Sequence, residues 1–229
     1  IRNQIRNGFL SSLFLVLVVI AASTSLMMYE HTRNSARIYD DFYDATNLQD
    51  LSVSPQIGHT FSAENLTRAC ASSQEEFVGT DLAINSCETR YVHSDSFVKT
   101  IDGNESLIPL VVHGFVDNPV ISTTWIEEDW GRMPEATGEV AIDRHLNDEL
   151  GIEIGDEVTV VLNGTRLNLT VTGYANHPAH LWYVPSKDSF LPGEGVFAVL
   201  YMPIDDLTDA LDLSVETRKT ILIDVVGTP

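Results

Sequence analysis

Apolar and polar positions along the chain fall into three patterns. From Asn7 to Tyr29 no residue is charged, and the stretch from Phe9 to Ala22 is broken only by Ser11 and Ser12. As a helix, these 23 residues would span about 34 Å, enough for the roughly 30 Å hydrocarbon core of a bilayer. Ser and Thr within it can bond to carbonyls of the preceding turn, so they do not oppose a membrane helix. A secretory signal cut near Ala21-Ala22-Ser23 is the competing reading. Against it, the apolar run continues through Leu26-Met27-Met28. A buried core helix fits this length and uniformity less well.

The second pattern is helical. Ala36–Thr46 extends the helix outward, with Ile38/Phe42 and Tyr39/Tyr43 at neighbouring helical positions. After it the period shortens to two. Leu48–Val53 reads as a strand stopped by Pro55 and Gly58, and Ser62 as the N-cap of a helix through Ala71, with Glu64 in its first turn. Strands are expected at Glu88–Val92, Phe97–Ile101 and Leu107–Val116, the last two joined by Asp102-Gly103-Asn104. Trp125–Pro134 reads as a loop.

A well-marked module follows Gly138. Glu139–Asp143 is a strand, Asp143 caps a helix to Leu150, and Gly151 ends it. Glu157–Leu162 and Arg166–Tyr174 form a hairpin around Asn163-Gly164. A loop from Asn176 to Gly195, a strand Val196–Met202, a helix Ile204–Leu213 and a strand Ile221–Val226 complete the chain before Gly227-Thr228-Pro229. The class is α+β, not a series of βαβ units. The domains are 1–37, a transmembrane helix with the start of a stalk, and 38–229, an extracytoplasmic core with a β-rich subdomain at about 120–200.

Composition sharpens the division. The 229 residues carry 33 acidic and 13 basic side chains, a net charge of -20, yet 44 % are hydrophobic. Residues 1–37 hold four Arg and one Glu, net +3, which leaves -23 on the other 192. Arg2 and Arg6 before the apolar stretch suit a cytoplasmic start. So acidic an exterior stays soluble by self-repulsion and disfavours nucleic acid. Disorder, collagen-like repeats and disulfide scaffolds are excluded, with 14 Gly, 9 Pro and 2 Cys. In an exported domain Cys70 and Cys87 suggest one disulfide, the alternative being two buried thiols. Four glycosylation patterns, at Asn65, Asn104, Asn163 and Asn168, add weight to the cell surface.

Catalytic motifs are missing. There is no Gly-x-Ser-x-Gly elbow, phosphate loop, His-Glu-x-x-His or dinucleotide glycine fingerprint. His177-Pro178-Ala179-His180, beside Trp182 and Tyr183, offers two imidazoles. Pro178 breaks helical spacing and no third ligand is evident, so a surface loop is the preferred reading over a metal site. His113, on an apolar strand, reads as a core histidine with its bonds satisfied. Glu127-Glu128-Asp129 and Asp205-Asp206 read as solvated faces.

The order of features resembles the FtsX-like/MacB-like permease subunits of ABC transporters. The matching stretches are Tyr39-Asp40-Asp41-Phe42-Tyr43 with Asn47-Leu48-Gln49-Asp50-Leu51, Cys87-Glu88-Thr89-Arg90-Tyr91, and His113-Gly114-Phe115. Then come Gly138-Glu139-Val140-Ala141-Ile142-Asp143, Leu150 to Asp156, and Leu169 to Gly173. His177 to Tyr183 and Phe197 to Pro203 complete the series. The resemblance implies a MacB-like core following the first transmembrane helix. It implies no catalysis, cofactor or metal in this part of the chain. It implies a separate cytoplasmic ATP-binding subunit, a second permease subunit, and a hydrophobic or protein cargo. The domain would couple ATP hydrolysis to export, extraction or mechanotransmission at the cell membrane, with Arg37, Tyr39, Phe42 and Tyr43 in the coupling stalk. The Cys70/Cys87 pair departs from the family pattern. Ile1 without Met and an end at Pro229 imply sequence on both sides and a core cut short. An extracellular sensor shares this topology, and a secreted hydrolase behind a signal peptide is a third reading.

Overall fold

The structure, a computed structural model, describes residues 2–56, 59–80, 83–101, 103–116, 118–180, 197–214 and 217–226, with side chains from Phe14 onward except that of Ile101. Gly58, Asp102, the segment 181–196 with Trp182 and Tyr183, and the closing Gly227-Thr228-Pro229 lie outside the described residues. The chain divides into two compact units, Ile1–Tyr43 and Asp44–Pro229.

Helix α1 runs unbroken from Arg2 to Thr46. Its part from Phe14 to Thr46 is long and apolar enough to cross a membrane. The apolar side chains from Phe14 to Tyr29 are exposed, not packed into a protein core. Hydroxyl groups in the helix turn inward, Thr24 donating to the Ile20 carbonyl and Thr32 to that of Met28.

The second unit is built on a sheet with two parts. Strands β1 (Leu51–Val53), β3 (Ile84–Ile101), β4 (Asn104–Phe115), β5 (Glu139–Asp143), β6 (Glu157–Leu162), β7 (Thr165–Ala175), β8 (Ala198–Pro203) and β10 (Thr220–Val225) take the order β1-β10-β3-β4-β8-β5-β7-β6. Strand β6 pairs back onto β3, Ser96–Val98 against Thr159–Val161. Six strands thereby close into a barrel, and β10 and β1 extend from β3 as a flap. One strand serves both because β3 is 18 residues long. Residues 84–90 of β3 pair with β10, and residues 96–98 pair with β6. Two strands separated near residues 93–96 were expected here. The polar Ser94-Asp95-Ser96 lies where the edge of β3 passes from one partner to the other. There Asp95 accepts the Asn163 amide at 2.8 Å, so the polar residues belong to the ladder and do not end it.

Alternation with period two sorts the barrel into an inside and an outside. Leu110 and Val112, Val140 and Ile142, Val158, Val160 and Leu162, and Ala198, Leu200 and Met202 face one core. Leu146 of α3 (Arg144–Leu150) and Leu207 of α4 (Ile204–Ala210) join them. The odd-numbered residues Phe115, Ala141, Ala175, Phe197, Val199 and Tyr201 form a second, smaller cluster on the other face. The expected caps are present. Asp143 accepts the His145 amide, Gly151 is left-handed at φ 66°, and Asn163 and Gly164 are both left-handed in the β6–β7 turn.

Helix α2 (Ala63–Glu76), capped by Ser62, is tied to β3 by the Cys70–Cys87 disulfide, with Cα atoms 6.1 Å apart. A small second sheet pairs β2 (Phe61–Ser62) with β9 (Thr217–Arg218). The loop Trp125–Met133 crosses β7 closely. A side chain at Gly173 would lie 2.5 Å from the Arg132 carbonyl oxygen, so only glycine fits.

Candidate functional site, a buried cluster behind the end of the first helix

The second, outer face of the barrel carries a group of buried ionisable side chains. β3 contributes Glu88 and Arg90, β4 His113, and β5 Asp143. Tyr201 comes from β8, and the turn Pro178–His180 with its preceding residue brings His177 and His180. Glu88, Arg90, His113, Asp143 and His177 are all buried, Arg90 at 1 % exposure.

Arg90 is the hub. Its Nε and Nη2 both donate to Glu88 Oε1, at 3.1 and 2.8 Å. Nη1 donates to the Ser122 carbonyl at 3.1 Å and Nη2 to that of Ile121. The Phe115 ring centroid lies 4.0 Å from the guanidinium carbon. Burial pulls the guanidinium below its ordinary value, and Glu88 pulls it back. Glu88 completes the clamp from below, its other oxygen accepting the amides of Val120 and Ile121 at 2.6 and 3.1 Å. One ion pair thus holds four backbone groups of the segment 120–122.

That segment is also where α1 ends. The Ser122 amide donates to the Asn47 carbonyl at 2.7 Å and the Thr123 amide to that of Thr46 at 2.8 Å. Asn47 Nδ2 returns a bond to the Val120 carbonyl at 2.6 Å, and the Ser122 hydroxyl is bonded to the Gln49 side chain. Thr46 itself is 1 % exposed. The last carbonyls of the helix, which lack partners within it, are therefore met by a strap that Arg90 and Glu88 fix to the barrel.

The histidines divide into two kinds. His145 donates from Nδ1 to Asp143 at 2.8 Å and from Nε2 to the Phe197 carbonyl at 3.0 Å. Two acceptors require two N–H groups, so this ring is an imidazolium. Burial works against that charge, but the Asp143 carboxylate outweighs it and raises the pKa above its ordinary value. Tyr201 donates to the other oxygen of Asp143 at 3.1 Å.

His113, His177 and His180 are neutral. Both nitrogens of His177 face N–H donors, Nδ1 the Ala179 amide at 3.1 Å and Nε2 the Nη1 of Arg90 at 3.2 Å, so the neutral ring can accept only one of the two. His113 and His180 share a proton between Nε2 atoms 2.7 Å apart, and His113 Nδ1 is buried with no partner among the described residues. Burial is the first cause lowering all three. The charge of Arg90 and the neighbouring imidazoles push His113 and His177 further down, well below the ordinary value. The 2.7 Å separation is that of a hydrogen bond. Two nitrogens on one tetrahedral ion, each about 2.0 Å from it, lie roughly 3.3 Å apart.

The sequence reading fares unevenly at this site. His177-Pro178-Ala179-His180 was expected on the surface, yet His177 and Pro178 are buried and His180 is half-buried. A loop rich in polar residues became interior because the outer face of β4 and β8 needs a cover. His113 is a core histidine, but its Nδ1 has no partner among the described residues. Of the expected stalk residues, Arg37 and Tyr39 are exposed, while Phe42 and Tyr43 are half-buried with their rings edge to face, 6.0 Å apart. The cluster lies further along and is built from other residues. Glu88 and Arg90 were in view as part of a motif, but charges at i and i+2 of a strand read as a solvent face. Only the cover supplied by the segment 120–123 turns that face into an interior.

No family model matches the chain, and no curated protein matches it. Solved structures similar to it include two extracytoplasmic domains. One is the extracellular domain of the noncanonic ABC-type transporter YknZ from Gram-positive bacteria, 13 % identical, with 74 % of this chain and 75 % of that one covered and a TM-score of 0.42. The other is the periplasmic region of MacB from Actinobacillus actinomycetemcomitans, 11 % identical, with 70 % and 66 % covered and a TM-score of 0.37.

Proposed function

We propose that the chain is the first transmembrane helix and the extracytoplasmic core of an ABC transporter permease. In this reading the core has no catalytic activity of its own. A cytoplasmic ATP-binding subunit drives α1, and the core passes the motion on to export, extraction or an envelope partner. The sequence resemblance supports the class. One structural observation supports the coupling role. α1 continues without a break to Thr46, and the strap at Val120–Thr123 binds its last carbonyls to the ion pair of β3. A helix joined to a domain in this way transmits displacement, whereas a flexible Gly/Ser linker would absorb it.

The test is an insertion of Gly-Ser-Gly after Arg37 in the full-length permease. Transport by the assembled complex should be lost, while the core keeps its melting temperature and its disulfide. Unchanged transport would remove the coupling role. A pull-down of the full-length protein that recovers a signalling domain in place of an ATPase would favour the sensor reading.

A further inference from the structure

The strap from Val120 to Trp125 joins two places far apart in sequence. Its Ser122 and Thr123 amides donate to the carbonyls of Asn47 and Thr46, at the end of α1. Two residues further on, Trp125 exchanges backbone bonds with Asn176, its amide donating at 2.8 Å and its carbonyl accepting at 3.0 Å. His177 follows directly. The strap is thus stitched at one end to the helix terminus and at the other to the histidine turn. Arg90 touches both, its Nη1 lying 3.1 Å from the Ser122 carbonyl and 3.2 Å from His177 Nε2.

Among the described residues, a charged His177 has no counter-ion. From β3 it faces Arg90. Behind Arg90 lies Glu88, whose Oε1 accepts from Arg90 and whose Oε2 accepts the Val120 and Ile121 amides. From β4 it faces His113, ring centroids 4.5 Å apart, and from β8 Tyr201, at 6.1 Å. His180 of its own turn is 5.9 Å away. Residues 120–124 carry no titratable side chain. Asp143 of β5 favours a charge on His180, but its two oxygens are bonded to His145 of α3 and to Tyr201.

Charging His177 would therefore set a second buried cation beside Arg90. It would also remove the ring's one acceptor, so that both nitrogens aim protons at donors, the Ala179 amide and the guanidinium. Like charges this close in a dry site repel strongly. Burial first and Arg90 second already hold the ring well below its ordinary value, outweighing the Ser122 backbone, which favours the charged form. The ring gains its proton only by leaving the guanidinium for water.

We propose that the strap is an acid-released latch, in which proton uptake by His177 opens the segment 120–123 with the turn 177–180 and lets go of Thr46 and Asn47 while the barrel stays folded. The opening is local because the barrel core lies on the other face of the strands and includes none of these groups. It concerns the junction itself and holds whatever moves α1. With an ordinary value for the ring in the open form, one proton favours opening by about tenfold between pH 7.5 and pH 5.5.

The test is hydrogen exchange of the full-length protein, solubilised from membranes, at those two pH values, with the intrinsic rates divided out. Peptides covering 44–50 and 120–125 should lose about tenfold in protection at the lower pH, while those covering β6 and β7 keep theirs. His177→Gln, which can still accept from Arg90 and does not titrate, should show no loss. Unchanged protection of 44–50 and 120–125 in the wild-type protein overturns the latch. A loss shared equally by β6 and β7 also overturns it, being global unfolding. An undiminished loss in H177Q takes the switch away from His177 and overturns the proposal as well. If H177Q does not fold, the wild-type comparison decides alone.

Discussion

Arg90 and Glu88 are the pair on which the outer face depends. Removing one partner of a buried pair leaves an uncompensated charge, at a cost of about 3–5 kcal/mol. Arg90→Met should therefore destabilise the protein by that amount. Glu88→Leu combined with Arg90→Met should cost much less than the two single changes added together. Denaturant midpoints of the four members of the cycle check this, and additive costs would mean that the pair does not act as a unit. The histidines make a separate prediction. His113, His177 and His180 have folded values below the ordinary 6.5. Below about pH 6.5 the unfolded chain therefore binds more protons than the folded one, and stability falls as pH falls. Three such groups bound the slope at about 4 kcal/mol per pH unit. His145 works in the opposite sense, its contribution being complete below 6.5 and lost as pH rises through its raised value. A stability profile flat from pH 8 to pH 5 would contradict the neutral assignment of the three rings. None of this was legible in the residues alone, because the burial and charge of these histidines depend on partners 52 to 87 positions away as well as on near neighbours.

Local rules carried further for the elements. Ser62, Asp143, Gly151 and Asn163-Gly164 mark helix ends and a turn through chemistry confined to a few residues, and each acts as its type dictates. What local reading missed was continuity. β3 crosses a polar patch without stopping because two different strands meet its edge there. The link between α2 and β3 is covalent, and the loop it closes, its cysteines 17 positions apart, is worth roughly 3 kcal/mol through the entropy of the unfolded chain. Reduction, or Cys70→Ser with Cys87→Ser, should lower the denaturant midpoint by a matching amount in a scan with and without reductant. An unchanged midpoint would show that packing of Leu66, 4 % exposed, already holds the helix in place.

For the whole molecule, charge dominates. The -23 outside residues 1–37 is spread over a surface with few cations, so its self-repulsion opposes compaction. Screening shortens the reach of that repulsion from about 10 Å at 0.1 M salt to about 3 Å at 1 M. The melting temperature should rise across that range, and a fall would mean that ion pairs such as Arg132–Glu139 outweigh the net field. The division into an apolar helix and an acidic domain was plain from the pattern of positions. Closure of the barrel was not, because it depends on three residue pairs between β3 and β6 that no periodicity announces.

The pairing of β1 with β10 has a mechanical consequence. The strands are antiparallel, with Leu51 opposite Ile223 and Val53 opposite Ile221, so the chain enters the sheet and leaves it at the same end of one ladder. Tension applied between residues 50 and 226 loads that ladder one rung at a time, as a zip is opened, and not all rungs together as in shear. The first rung is reinforced, since Asp50 donates its amide to Ile223 and accepts that of Val225 on its carboxylate. Behind that clip the remaining rungs part in sequence. A domain wired in this way yields early to pulling but keeps every rung under compression, so the load it can bear has a direction, and that direction is a push.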